Sequence, residues 1–278
     1  MDNEYTIVCK MPTEYFSLNK KVIIITGGAG LLGEQYAKII AKANGTPIIL
    51  DLNKKKSKKI CEKLNKLYSC NARYFVCDIT DEGQVQKVLI KLKKKFPKNK
   101  IFGLINNAAF NPQPSKNKNN NSLENFKLMN WEKEIKVGLT GAFICSKIFG
   151  NFFSKNGGGT IINISSDLGI KAPKQSLYSH LNYFKPVTYS VIKHGLHGLT
   201  KYICSYWGKS KVRCNTLAPG GVFNNQNKKF VNRLRKEIPM DRMAKLSDFD
   251  GIILYLLSDL SSFTNGSLIS VDGGRTVI

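Results

Sequence analysis

The sequence predicts an α/β fold, a doubly wound parallel sheet in a single domain, and three observations carry that prediction. Short β-branched runs alternate with segments of helical period along most of the chain. The first run, Val22-Ile23-Ile24-Ile25, passes straight into the glycine-rich Thr26-Gly27-Gly28-Ala29-Gly30-Leu31-Leu32-Gly33. A length of 278 residues with 42% hydrophobic content is enough for one large, well-buried core. Alternation at this spacing places crossover helices on both faces and leaves ligands the crevice beyond the carboxyl ends of the strands.

Residues 22–26 read as a buried strand, and 31–43 as a helix that opens at the glycine turn. A second strand follows at 47–51, then a lysine-rich helix at 54–68. Strand 73–77, helix 81–96 and strand 101–106 continue the pattern. After a polar connection, a long helix is expected over 131–154, a fifth strand over 160–164 and a helix over 188–207. Strand 212–217, a helix near 248–258 and the short strand 268–271 close the chain. Residues 1–18 lie outside the repeating pattern and read as an N-terminal arm, so the domain proper is expected to span 19–278. The low-complexity polar run at 110–122 and the segment 167–188 interrupt it, and both are expected to be loops at the substrate.

The bulk numbers narrow the class. No apolar run reaches the roughly 18 residues that a membrane span needs. Met1-Asp2-Asn3-Glu4-Tyr5 has neither the basic nor the apolar region of a signal peptide. The seven cysteines include no C-x-x-C pair and no Cys/His cluster, which argues for buried thiols in a reducing compartment and against disulfides or metal. Cytoplasm is the expected location. The formal charge of +24 has two readings, capture of an anionic ligand or a lysine-rich compositional bias. Of the 43 basic residues only six are arginine, the type that best reads phosphate and base edges. Nucleic acid and membrane are therefore not expected partners, while a phosphorylated small molecule is still favoured by the charge.

Three motifs carry chemistry. In the glycine turn, Gly27 permits the tight strand-to-helix bend, Gly30 lets backbone approach a pyrophosphate, and Gly33 lets helix and strand pack closely. The helix N-terminus then offers amides and a positive dipole. Asp51 closes the second strand, where a carboxylate accepts both ribose hydroxyls and repels a 2′-phosphate. That favours NAD, although Lys54, Lys55 and Lys56 partly offset the repulsion and leave NADP open; alternatively Asp51 caps the next helix. Tyr189-Ser190-Val191-Ile192-Lys193 puts a phenol and an ammonium on one helix face, one turn apart, and the ammonium favours the phenolate. Tyr178 and Tyr183 have Asn182 and Val187 four residues on and do not compete.

With Asn163-Ile164-Ser165-Ser166-Asp167-Leu168-Gly169, Asn106-Asn107-Ala108-Ala109 and Pro219-Gly220-Gly221-Val222 in the same chain, the sequence resembles the short-chain dehydrogenase/reductase family from about residue 20 onward. The resemblance implies a Rossmann-type domain and hydride transfer between a nicotinamide cofactor and a secondary alcohol or ketone, with no metal. By it, Ser166 hydrogen-bonds the substrate oxygen and Tyr189 exchanges the proton. Lys193 lowers the tyrosine pKa from its reference of about 10 and binds the nicotinamide ribose. Cofactor contacts are implied at Gly27, Gly30, Leu32, Gly33 and Asp51. Asp78 and Ile79 fall near the adenine, Asn107 and Ala108 near the nicotinamide ribose, and Pro219, Gly220 and Val222 toward the carboxamide. Tyr189 and Lys193 complete that set. Asp78 alternatively caps the helix beginning near Asp81. A homo-oligomer, dimer or tetramer, is likewise implied. Ser165, His180, His194 and His197 are expected to be structural or surface residues.

The sequence departs from the family pattern in three places. Leu31 stands at the middle glycine of T-G-x-x-x-G-x-G, a spacing closer to the sugar-nucleotide-modifying branch. Val137-Gly138-Leu139-Thr140-Gly141 carries glycine where members show an asparagine that holds a water beside the lysine. Gly138 still permits a local helix distortion, so either the proton relay is built differently or catalysis is weakened. Ser166 and Tyr189 stand twenty-three residues apart, an insertion beyond the usual spacing that brings Lys171, Lys174, Tyr178, His180, Asn182, Tyr183 and Lys185. That lining suits a polyhydroxylated substrate, phosphorylated or not, better than a steroid or acyl chain; an oligomer contact or a flap is the other reading. Together these features are similar to oxidoreductases of flagellin-glycan and surface-polysaccharide sugar synthesis. The expected function is NAD-linked oxidation or reduction at a sugar hydroxyl. A 3-oxoacyl-[acyl-carrier-protein] reductase is the alternative enzyme, and a non-catalytic cofactor-binding scaffold the alternative of another class.

Overall fold

The computed structural model describes residues 16–110, 121–181 and 183–278. The β-branched runs form β1 (Val22–Thr26), β2 (Thr46–Asp51), β3 (Arg73–Val76), β4 (Ile101–Asn106), β5 (Gly159–Ile164), β6 (Val212–Pro219) and β7 (Leu268–Val271). They pair in the order β3-β2-β1-β4-β5-β6-β7, every neighbour parallel. Between them lie α1 (Leu31–Lys42), α2 (Lys54–Tyr68), α3 (Glu82–Lys95), α4 (Leu128–Ile135), α5 (Gly141–Ser154), α6 (Val187–Trp207), α7 (Lys228–Arg235) and α8 (Asp250–Leu257). The doubly wound fold expected from the alternation is the one observed.

Successive residues of a strand point to opposite faces, and here both faces are covered. Ile23, Ile25, Ile49 and Ile162 pack with Tyr36 and Ile40 of α1 and Ile253 and Leu256 of α8. Val22, Ile24, Ile48 and Ile161 pack with Val85 and Leu89 of α3 and Phe149 and Phe153 of α5. Strands without polar alternation are what such a sheet requires, and each fully buried aliphatic side chain contributes about 1.5–3 kcal/mol. The stretch Leu128–Ser154 is long and apolar enough to cross a membrane by those measures alone. Its α5 half instead buries Ile144, Cys145, Ile148, Phe149 and Phe153 in this core. The described cysteines form no disulfide, and all but Cys204 are buried. Burial pushes the thiols of Cys61 and Cys214 up to about 12 and that of Cys77 up to about 11.

Two expectations need correcting. Leu18, assigned to the arm, is fully buried in the core, and its amide donates to Ala43 at the end of α1 at 2.7 Å. The fold therefore begins before residue 19; residues 1–15 of the expected arm, and 111–120 of the polar loop, fall outside the described residues. α7 was not anticipated, because Lys228–Arg235 is short, five of its eight residues are polar and only Leu234 is buried.

A buried polar chain ties the sheet to the helices behind the ligand crevice. Asn106 Nδ2 donates to Asn163 Oδ1 at 2.8 Å and to Ser146 Oγ at 2.9 Å. Asn163 Nδ2 donates to Thr200 Oγ1 at 2.8 Å, and Thr200 in turn meets Thr216 at 2.7 Å. The chain thus runs from β4 through α5, β5 and α6 to β6. Leaving a buried partner unsatisfied costs its desolvation. Asn163→Ala removes one hydrogen bond from Asn106 and one from Thr200, which keep Ser146 and Thr216 as partners, and is expected to lose about 1–3 kcal/mol of stability, measured by urea unfolding.

Candidate active site

The chain leaves β1 toward β2 and leaves β4 toward β5, in opposite directions, which opens a crevice at their carboxyl ends. Thr26 sets its width. Its Oγ1 accepts the amides of Asn107 at 3.0 Å and Ala108 at 3.1 Å, pinning the end of β4 to the end of β1. Gly27 has φ +59°, and a Cβ there would stand 2.8 Å from the Ala108 Cα. A Cβ on Gly33 would stand 2.4 Å from the Gly27 carbonyl oxygen. Gly30, the N-cap of α1, offers no side chain to the helix's first amides. The turn is thus a bare backbone cradle at a helix N-terminus, which fits a pyrophosphate.

The remaining cofactor candidates divide. Asp51 lies at the rim of the cradle, its Oδ2 accepting the Ala29 amide at 3.0 Å and its Oδ1 the Asn53 amide at 2.9 Å. It does not cap α2; Asn53 does. Likewise Asp81, not Asp78, caps α3, and Asp78 holds Thr80 through its amide at 2.9 Å and its hydroxyl at 2.8 Å. Other positions carry structural work. The Asn107 amide donates to the carbonyls of Thr26 and Gly27, both at 3.0 Å. Ile79 is buried against Gly141, so only its backbone can face the crevice. A Cβ on Gly220 would stand 2.7 Å from the Asp272 Cα, so that glycine lets the ends of β6 and β7 approach. Pro219 is buried at the end of β6, and Val222 bridges to Ala244. Leu32 packs partly into the core.

Ser166, Tyr189 and Lys193 come together at the ends of β5 and α6. Lys193 is buried, and its Nζ donates to the Ile164 carbonyl at 2.7 Å and lies 5.7 Å from the Tyr189 ring centre. Burial and then the nearby Lys185 push its ammonium down to about 8. Burial pushes the Tyr189 phenol up; hydrogen bonding to Ser166 pulls it down and the Asp167 charge pushes it up again. Ser165 and His197, expected to be structural, brace this corner. Ser165 Oγ donates to the Lys193 carbonyl at 2.7 Å and meets His197 Nε2 at 2.9 Å, and burial pushes His197 down to about 4.

The insertion is folded against the domain. Leu177 packs with Leu234 and Ile238, and the Tyr178 ring lies tilted against Phe230 with centres 5.4 Å apart. Gln175 clamps Lys185 by its backbone, accepting the amide at 2.9 Å and donating to the carbonyl at 3.2 Å. Lys185 Nζ then lies 3.7 Å from the centre of the Tyr189 ring. Burial pushes Lys185 down to about 8, against the pull of Asp167 and Glu134. Glu134 is itself buried and accepts the Thr188 hydroxyl at the start of α6. Lys185 stood among the insertion residues in the sequence, but its place over the tyrosine depends on a fold that spacing does not encode. Asp167 was readable only as the neighbour of Ser166, and Arg275 carried no signal.

The sequence model of the family described as enoyl-(acyl carrier protein) reductase matches residues 28–276. The chain belongs to the short-chain dehydrogenase/reductase family. Such a protein is an NAD(P)-dependent oxidoreductase of CH–OH groups. Among relatives of this dehydrogenase/reductase, a protein of Yarrowia lipolytica named probable NADP-dependent mannitol dehydrogenase is 30% identical, over 96% of this chain and 91% of its own. The post-translational flagellin modification protein A of Campylobacter coli is 28% identical, over 92% and 98%. A gluconate 5-dehydrogenase from Burkholderia cenocepacia, solved with NADP and tartrate, shares the fold with a TM-score of 0.83 at 24% identity, over 96% of this chain and 99% of that one.

The family asparagine is absent, and the structure shows what stands there. Residues Lys136–Thr140 form a π-helical turn between α4 and α5, the local distortion that glycine was expected to permit. A Cβ on Gly138 would stand 2.8 Å from Ile192 Cγ2 and 3.0 Å from its Cδ1, so Ile192 fills the space of the missing side chain. Gly138→Asn is therefore expected to cost about 1–3 kcal/mol by overpacking. Adding Ile192→Ala should return part of that loss, which a double-mutant cycle by thermal unfolding reads directly.

Proposed function

We propose that this chain is an NAD-preferring dehydrogenase/reductase of a secondary hydroxyl in a polyhydroxylated substrate: a sugar, polyol or sugar phosphate of surface-glycan synthesis. It acts in the cytoplasm as a homo-oligomer. The observation that carries this reading is the insertion, which lays polar, aromatic and basic groups, Tyr178, Tyr183 and Lys185, against Tyr189. Such a wall rewards hydroxyls and negative charge, and leaves an acyl chain little apolar surface to bury. The names of the mannitol dehydrogenase and the flagellin-modification relative support it. Asp51 supports NAD, because its carboxylate is held by two amides where a 2′-phosphate would meet it.

The chain's own groups divide the work simply. The glycine cradle and Asp51 hold the dinucleotide, and Lys193 and Tyr189 close on its nicotinamide ribose. Bound nicotinamide supplies the hydride acceptor or donor. Ser166 orients the substrate oxygen, and Tyr189 takes or gives its proton. The basic surface and the description of the matching family model favour a second reading, a reductase of acyl chains on an acidic carrier protein.

Turnover of NAD or NADH on a panel of polyols, sugar acids, sugar phosphates and an acyl-carrier thioester separates the two readings. Tyr189→Phe is expected to lower kcat roughly 10²–10⁴-fold while NADH binding, followed by fluorescence, is retained; turnover near native in that variant would remove the assigned mechanism. Asp51→Ala is expected to move the ratio of kcat/KM for NADP over NAD upward by roughly tenfold or more, as Lys54, Lys55 and Lys56 lose their opposing carboxylate.

A further inference from the structure

Asp167 lies behind the catalytic serine with both carboxylate oxygens engaged. Oδ1 accepts the Ser166 hydroxyl at 2.6 Å and the Leu168 amide at 2.8 Å, and Oδ2 is paired with Arg275 Nη1. Both side chains are buried, each 4% exposed. Arg275 lies 108 residues along the chain, beyond β7. Lys171 Nζ holds that segment by donating to the carbonyls of Arg275 at 2.7 Å and Ile278 at 2.9 Å. A buried ion pair adds little stability, because desolvation offsets its attraction. It fixes geometry instead, and here the geometry is that of one O–H bond. A serine hydroxyl has a single hydrogen. Given to Asp167, it is not at the same time available to the Tyr189 oxygen, where hydrogen bonding by Ser166 pulls the phenol down.

We propose that Asp167 and Arg275 are positioning residues that hold the Ser166 hydroxyl turned toward Asp167 and so keep Tyr189 as a phenol, the proton donor that carbonyl reduction needs. The proposal rests on the reading of Ser166, Tyr189 and Lys193 as the catalytic group. Alcohol oxidation, which needs the phenolate, then requires that hydroxyl to swing from Asp167 to Tyr189. The groups around Tyr189 are Ser166 and Asp167 after β5, and Tyr178, Tyr183 and Lys185 in the insertion. Glu134 of α4 lies nearby, and Lys193 is on its own helix. The Asp167 charge disfavours the phenolate. The two lysines, pushed down by burial to about 8, lose the charge that would favour it above that pH.

The test is a substrate-free titration of Tyr189, read as the ultraviolet difference signal of tyrosinate after subtraction of the Tyr189→Phe variant. Changing Asp167 alone would strand a buried arginine, so the pair is changed together. In Asp167→Leu/Arg275→Met the Tyr189 midpoint is expected to fall by roughly one unit or more, and Ser166→Ala in that background should cancel most of the fall. Asp167→Asn/Arg275→Met, close in shape and with an acceptor still facing Ser166, should give a smaller fall; it also serves if the leucine pair does not fold. A midpoint that stays at the native value or rises in the folded pair variants, or a fall that survives Ser166→Ala, overturns the proposal. Native-like turnover of Tyr189→Phe would instead sink the catalytic reading and leave this titration interpretable.

Discussion

The bond from Lys193 Nζ to the Ile164 carbonyl, 2.7 Å long and shut away from water, fixes the rest of the site. It docks α6 on the last residue of β5, and Ser165 returns the contact by donating to the Lys193 carbonyl. Strand end and helix are thereby joined twice, by one side chain from each. Tyr189, one turn before Lys193, and Ser166, two residues after Ile164, then have little freedom in where they meet. Burial that secures this geometry also shifts the acid–base balance, pushing the amine down and the phenol up. The Asp167 charge pushes the phenol further up and Lys185 pushes the amine further down.

Much of this was legible in the sequence because it follows from local periodicity. The seven strands and most helices came from runs of β-branched residues and helical spacing, and α2 matches its expected limits. The glycine turn, Ser166 and the Tyr189–Lys193 pair were readable because each is a short motif whose spacing sets its geometry. What escaped had no local signature. α7 buries a single side chain, and Leu18 was placed in the arm because the short run Phe16-Ser17-Leu18 before Asn19-Lys20-Lys21 shows no period. The contacts of Asp167 with Arg275 and of Asn106 with Asn163 join residues far apart in sequence. Asn107 is the converse case: its motif was visible, but the hold of its side-chain amide on the glycine turn was not.

Two of the three departures from the family pattern meet at the same helix. Opposite Gly138 the isoleucine of Tyr189-Ser190-Val191-Ile192-Lys193 fills the space of the missing side chain, so the floor of the site is apolar where a relay was expected. On the other side of Tyr189 the insertion brings Lys185, held by the Gln175 clamp. Polarity around the tyrosine has thus moved from the helix interior to the rim. A buried relay needs every member hydrogen-bonded, whereas an ammonium at the rim needs only a face to lie on and acids within reach.

The packing of the cysteines bears on chemistry that this site never performs. A thiol reacts as its thiolate, and the thiols of Cys61, Cys77 and Cys214 are held far above neutral pH by the same burial that excludes reagents. None of the catalytic groups contains sulfur. Among the described cysteines only Cys204 is within partial reach of a thiol reagent, on the helix that carries Tyr189 but away from it. A site built on serine, tyrosine and lysine presents no thiolate for an oxidant to attack.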